Sequence, residues 1–321
     1  MTTDAAKISR RLALGKAALA AGAAALAQTS VSTTATASET SAQPFLYCLN
    51  TATIRGQKLG IVQEIEIAAK AGYNSIEPWV DSLEAYVKNG GKLEELKQRI
   101  NDSGLTVEDA IAFPEWIAED DARRAKALER AKREMEMVAQ IGGKRIAGPP
   151  SGGTNLPKLE LRVIAERYKA LLEEAEKAGL VAQLELWGFS QNLNRLSECV
   201  CVAMETGHPK ACVLADVYHL YKGGSELGGI HLLGPTAIQI IHMNDYPADP
   251  PREKIDDSFR VYPGDGVAPL TQILQDLHKT GGQKVLSLEV FNRGYWAEDA
   301  LTVAKTGLEK MKGVVAKAGI S

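Results

Sequence analysis

Short β-branched runs and longer amphipathic runs alternate along this chain from residue 45 to its end, and the joints between them repeat. Ala71-Gly72, Gly142-Gly143, Ala178-Gly179 and Gly281-Gly282 each stand where a helical pattern stops and an apolar run begins. Glycine suits that place, because the residue that closes a helix commonly takes positive φ. Strand patterns cover Phe45–Thr51, Asn74–Trp79, Leu105–Ala112, Lys144–Ala147, Val181–Leu186, Ala211–Val217, Ala237–Met243 and Lys284–Val290. Helical periodicity covers Ile61–Ala71, Asp81–Ile100, Glu119–Ile141, Lys158–Ala178, Asn192–Glu205, Glu226–Leu233, Val267–Lys279 and Glu298–Ala316. Strict strand–helix order with short connections dictates a parallel sheet, and eight such units imply closure. Asn50-Thr51-Ala52-Thr53-Ile54 follows the first strand where a doubly wound nucleotide-binding sheet would carry a glycine-rich loop. The expected fold class is α/β, a single (β/α)8 barrel.

The segment ahead of these units has a different character. Ser9-Arg10-Arg11-Leu12-Ala13-Leu14 leads into an Ala-rich stretch ending Ala25-Leu26-Ala27, interrupted by Gly15 and Lys16. Paired arginines, a weakly apolar middle and a small-x-small end resemble a twin-arginine export signal. A membrane span would need about 20 strongly apolar residues, more than this run supplies. The expected organisation is a twin-arginine signal peptide over 1–27, a Ser/Thr/Ala-rich linker over 28–43 and the barrel over 44–321. That body of roughly 277 residues matches one barrel of about 250 residues. Export by the twin-arginine machinery implies a periplasmic or secreted protein. With the first 27 residues set aside, the 37 basic and 40 acidic residues become 33 and 39. A mildly acidic body of this kind is a poor partner for nucleic acid, which demands clustered Lys and Arg. Four cysteines, Cys48, Cys199, Cys201 and Cys212, are too few to staple the chain and read as small packing groups.

In a barrel the carboxyl ends of the strands face the active site, so polar residues there are candidates for chemistry. Strand five ends Leu184-Glu185-Leu186-Trp187, strand six Ala215-Asp216-Val217-Tyr218-His219, strand seven Ile241-His242-Met243-Asn244-Asp245 and strand eight Leu288-Glu289-Val290. Glu185, Asp216, His242 and Glu289 thus come from four consecutive strands, each beside aliphatic residues. Burying three carboxylates together without a cation is costly. A divalent metal relieves that cost, and three oxygen donors with one imidazole suit Mn2+ first, with Mg2+, Co2+ or Zn2+ as alternatives. Glu77, ending strand two, reads as a partner of these ligands or as a substrate contact. Trp79, Trp116 and Trp187 read as a sugar-stacking wall or as packing.

The same residues carry a family resemblance. Leu184-Glu185, the Asp216-x-x-His219 step, His242-x-Asn244-Asp245, Arg260-Val261-Tyr262-Pro263-Gly264-Asp265-Gly266 and Leu288-Glu289 resemble the xylose-isomerase-like barrel superfamily, over the chain from Pro44. Within it the match is to the sugar phosphate isomerase/epimerase branch. The resemblance implies one metal held by Glu185, Asp216, His242 and Glu289, with the two glutamates doubling as acid and base. It also places His219 and Arg260 on substrate oxygens, so the expected substrate contacts are His219, Arg260, Glu77 and Trp187. The chain departs from ketose 3-epimerases in a longer Asp245–Arg260 loop and in Gln191, where those enzymes place an acid.

The expected activity is proton transfer next to a carbonyl of a sugar or sugar derivative, through an enediolate, with Glu185 and Glu289 removing and returning the proton. Return to the same carbon epimerises, return to the neighbouring carbon isomerises, and loss of a β-leaving group makes the enzyme a lyase or dehydratase. The last is the alternative reading, with a 3-keto-sugar or 3-keto-glycoside as substrate, since an exported enzyme meets few phosphorylated sugars. An abasic-site endonuclease, which the superfamily contains, needs further histidines on early strands, and none of the five here precedes residue 208. A non-catalytic sugar-binding barrel is the third reading. The sequence leaves a homo-oligomer open.

Overall fold

A computed structural model describes residues 44–320. Eight parallel strands form one sheet: β1 (Phe45–Asn50), β2 (Ser75–Glu77), β3 (Thr106–Val107), β4 (Arg145–Gly148), β5 (Val181–Glu185), β6 (Val213–Asp216), β7 (Ile238–Met243) and β8 (Lys284–Leu288). The strand order is β3-β2-β1-β8-β7-β6-β5-β4, so the first and last strands pair with each other inside the sheet. Two main-chain bonds cross the remaining seam: Lys144 N donates to Val107 O and Ala147 N to Ala110 O, at 3.2 and 2.9 Å. The sheet therefore curls round into the TIM-barrel fold, with helices outside it.

The helices are α1 (Ile61–Ala71), α2 (Val80–Lys88), α3 (Leu93–Asp102), α4 (Asp121–Gln140), α5 (Leu161–Lys177), α6 (Leu196–Glu205), α7 (Val217–Lys222), α8 (Leu270–Lys279) and α9 (Ala300–Lys317). α4 shows how the pattern works. Asp120 caps it by accepting from Arg123 N, and Ala127, Ala131, Met135 and Val138 form its buried stripe. The glycine joints behave as stops: Gly72 takes φ +93° and returns its N–H to Ala68 and Ala69 carbonyls. Inside the barrel, Cys48, Ile111, Ala147, Leu214, Ile240 and Val285 form an apolar layer drawn from many strands. A larger core fills the space between sheet and helices.

Three expectations need correction. The Asp81–Ile100 pattern is two helices, because Asn89, Gly90 at φ +88° and Gly91 break it between α2 and α3. The Leu105–Ala112 strand pairs in register only at Thr106 and Val107, although Ile111 still bridges Trp79. Glu226–Leu233 is a 3-10 turn over Leu227–Leu232, where Gly228 and Gly229 disfavour a regular helix. The proposed signal peptide and linker, residues 1–43, lie outside the described residues. Among the described residues no helix is long and apolar enough to cross a membrane.

Candidate active site

Glu185 ends β5, Asp216 ends β6, His242 lies in β7 and Glu289 follows β8. Topology alone sets the order: these four strands are neighbours, so the two glutamates flank the aspartate and the histidine. All four side chains are buried, at 4% exposure or less. Asp216, His242 and Glu289 offer ligand atoms that all lie within 4.8 Å of one another. Glu185 is not one of that tight group, but with Glu289 it lines a cavity at the strand ends.

His242 is held from both ends. Its Nε2 meets Glu77 Oε1 at 3.0 Å, while Nδ1 faces Glu289 Oε2 at 3.1 Å and Asp216 Oδ2 at 3.6 Å. Burial alone would lower the imidazole pKa, but Glu289 and Glu77 drive it well above the ordinary value. Nδ1 makes no hydrogen bond of acceptable geometry, and Glu185 Oε2 is likewise buried without a partner. Burial pushes the Glu185 carboxyl up to about 8; His242 pulls it down, while Glu289 and Asp216 raise it further. Two orphaned donor atoms beside two more carboxylates are the pattern a divalent cation satisfies. The residues present fit the metal.

Arg260 brings a guanidinium to this cluster. It is 1% exposed, and Nη1 donates to Asp216 Oδ2 at 2.8 Å and Glu289 Oε2 at 2.9 Å. Its Nη2 lies 3.1 Å from His219 Nε2 and donates to Asp257 Oδ1. Burial would raise the Asp216 pKa, yet Arg260 and then His219 hold it well below the carboxylate range. Burial also lowers His219, against the pull of Asp216. The run from Arg260 to Gly266 is fastened by Asp245, whose carboxylate accepts from the N–H groups of Tyr246, Gly264, Gly266 and Ala268. A Cβ at Gly266 would come within 2.4 Å of Asp245 Oδ1, so this glycine is a packing requirement.

Above these groups lies a cavity of about 230 Å³. Trp79, Phe113, Trp187, Phe189 and Phe291 make its walls, with Glu185, His219, Asp257, Arg260 and Glu289 as its polar side. Trp187 stacks on Phe189 at 5.2 Å, and Phe189 meets His219 edge-on at 5.5 Å. Trp187, His219 and Arg260 therefore face the place where a substrate would sit. Glu77 does not. It is fully buried beneath the cluster, with Oε1 on His242 and Oε2 accepting from Asn50 and Ser287. Of the two expected roles that position fits the partner of the ligands and corrects the substrate contact: Glu77 supports the imidazole, in the way that orients metal-bound histidines. Trp116 is also no part of the wall: it is buried against Tyr168 and donates to Pro149 O.

Sequence reasoning passed over three groups. Asn50 ends β1 and its Nδ2 donates to both Glu77 Oε2 (2.9 Å) and Glu289 Oε1 (3.1 Å), while Oδ1 accepts from Trp79 Nε1. Asn244 donates to Asp216 Oδ2 and Glu289 O. Asp257 belongs to the long loop before Arg260. Asn50 and Asn244 also sit at strand ends, so the rule that found the acids would have found them had amides been included.

Comparison with known proteins now adds a family. A family model described as xylose isomerase-like TIM barrel matches residues 65–313. An inosose isomerase of Halalkalibacterium halodurans is 26% identical over 274 residues, covering 84% of this chain and 96% of that protein. A 3-dehydroshikimate dehydratase of Pseudomonas putida is 23% identical over 254 residues, covering 78% of this chain but only 39% of that longer protein. A crystal structure described as IolI protein with a binding zinc atom superposes with a TM-score of 0.79 at 23% identity, covering 85% of this chain and 99% of that one.

Proposed function

The chain belongs to the xylose isomerase-like TIM barrel family, and from that premise we propose that it is a metal-dependent isomerase or epimerase that moves a proton beside the carbonyl of a sugar-like substrate. The observation that carries the reading is the pair of buried glutamates, Glu185 and Glu289, which both line the cavity and come from the strands on either side of those that carry Asp216 and His242. Asp216, His242 and Glu289 would hold the ion, with Glu185 as a fourth donor, and Mn2+ is our first assignment among the divalent metals. When bound, such an ion supplies the positive charge that acidifies the C–H next to a carbonyl and offsets the charge that develops on oxygen.

The chain's own groups supply the rest. One glutamate takes the proton from carbon, and its electron pair moves to the carbonyl oxygen to give the substrate enediolate. The other glutamate gives a proton back, on the opposite face for epimerisation or at the neighbouring carbon for isomerisation. His219 and Arg260 place N–H groups on the polar side of the cavity, where they orient the substrate oxygens. The aromatic walls exclude water from the exchanging proton and offer flat faces to the ring C–H groups. The inosose isomerase relative supports this reading. The dehydratase relative supports the alternative, in which the same carbanion expels a β-leaving group from a 3-keto-sugar or 3-keto-glycoside. The leader Arg10-Arg11 supports export by the twin-arginine route.

Deuterium wash-in tests the chemistry. Metal-saturated protein should exchange the proton beside the carbonyl of a ketose, an inosose or a 3-keto-glycoside, and Glu185→Gln and Glu289→Gln should each slow that exchange by ~10²–10⁴-fold, the worth of a positioned acid or base. The released product separates the isomerase from the lyase. Turnover without exchange would indicate hydride shift between carbons and end the acid–base assignment.

A further inference from the structure

We propose that the pocket between the turn after β1 and helices α1 and α2 is a second substrate subsite, which takes a polyhydroxylated substituent attached to the carbonyl ring. The proposal rests on the sugar reading above and adds the substrate class: a keto-sugar that carries a second ring or a sugar-alcohol chain.

Size is the first argument. The cavity over the carboxylates holds about 230 Å³, below the ~300–1,000 Å³ usual for small-molecule sites. It has room for the reacting ring and little else. A neighbouring pocket of about 470 Å³ opens beside it. The two spaces share a partition made of one stacked pair: Arg55 Cζ lies 4.2 Å over the Trp79 ring, Trp79 walls the first space and Arg55 the second. Trp79 is held through Nε1 by Asn50 Oδ1, and Arg55 meets Asp81 in an exposed ion pair at the outer edge of the partition. A substituent leaving the reacting ring over the edge of Trp79 enters this pocket.

Chemistry is the second argument. Arg55, Lys58, Glu64, Asp81, Tyr86 and Asn89 line the pocket. Both signs of charge alternate there, which suits neither a phosphate nor a bare cation but matches hydroxyl groups that donate and accept. Glu64 in α1 points the same way. It is 5% exposed and its Oε2 has no hydrogen-bond partner, although it belongs to the pocket lining. A buried polar atom left unpaired is costly, and a ligand hydroxyl would satisfy it. Burial raises this carboxyl to about 7, so near neutrality it offers an O–H donor as well as an acceptor.

Paired substrates test the proposal on the metal-saturated full chain: 3-keto-glucose, and a disaccharide oxidised at the same carbon. Wild-type protein should show at least a tenfold lower KM for the two-ring compound, read by deuterium exchange. Ala85→Trp, which fills the pocket from the exposed side of α2, and Tyr86→Ala should both raise the two-ring KM towards the one-ring value. Neither should change one-ring kinetics, which doubles as the control for folding. Equal KM values in the wild type, or a two-ring KM untouched by both variants, overturns the subsite while leaving the proposed function standing. Exchange with neither sugar overturns the proposed function and the subsite with it.

Discussion

Two residues act on the same buried cluster with opposite sign. Glu77 accepts from His242 Nε2 and keeps Nδ1 turned towards Asp216 and Glu289. Arg260 instead puts a positive charge on the very oxygens that would bind a cation, Asp216 Oδ2 and Glu289 Oε2. Glu77→Gln should therefore weaken Mn2+ or Zn2+ binding by roughly 10–100-fold, the usual effect of losing an outer partner of a ligand histidine. Arg260→Met should strengthen it by about a hundredfold or more, since hydrogen bonds to charged groups contribute ~1.5–3 kcal/mol each and the carboxylates would be freed of two. Chelator competition measures both constants, and shifts in the same direction would show that Arg260 organises the ligands rather than competing with metal. At this scale the sequence was informative about identity and silent about depth. A strand's period of two says which face a side chain takes, but not whether it lies at the mouth or beneath it. That is why the sequence left Glu77 open between a partner of the ligands and a substrate contact, and its depth decides for the partner.

Helix α1 carries its own test in Glu64. Its folded-state value of about 7 lies above the ordinary glutamate value, with burial as the main cause, Arg55 opposing and Asp81 adding. Below about pH 4.3 both folded and unfolded chains hold this proton, and the folded state has its full stability from this group. As pH rises through 7 that contribution is lost, because the ionised carboxylate must be buried. The shift corresponds to a loss on the order of 3 kcal/mol between those limits. Glu64→Gln should flatten the slope between pH 4 and 7 and raise stability at pH 8, measured by denaturant unfolding of both proteins at each pH. An identical slope in the variant would mean that Glu64 ionises as freely folded as unfolded. Element boundaries were readable where a cap or glycine stood, as at Asp120 and Gly72. They were misread where backbone geometry overrode periodicity. The apolar spacing of Leu83, Leu93, Leu96 and Ile100 runs on through Asn89–Gly91, although the chain does not. Helix α7 was missed because Asp216 both ends β6 and caps the helix by accepting from His219 N, leaving no linker to mark the change.

At the scale of the whole molecule, strand–helix alternation determined the barrel, and the barrel determined which residues meet. Glu185 and Glu289 are 104 positions apart in the chain and come together only because β5 to β8 lie side by side. No local signal encodes that convergence, so a site of this kind exists only in the folded chain. This bears on the proposed twin-arginine leader. The twin-arginine route is expected to carry folded proteins, and a fold whose ligands assemble only on closure can take up its metal before it crosses the membrane. Arg10 and Arg11 should then be required as arginines, since the planar, bidentate guanidinium is not replaced by the point charge of lysine. In cells that express the full chain, changing both to Lys should leave the protein in the cytoplasm, folded and with its metal, as read by fractionation and elemental analysis. Normal arrival of the double-Lys protein in the periplasm would remove the twin-arginine assignment. A metal-free protein trapped in the cytoplasm would instead break the link between folding, loading and export, because loading would then depend on the compartment that the leader reaches.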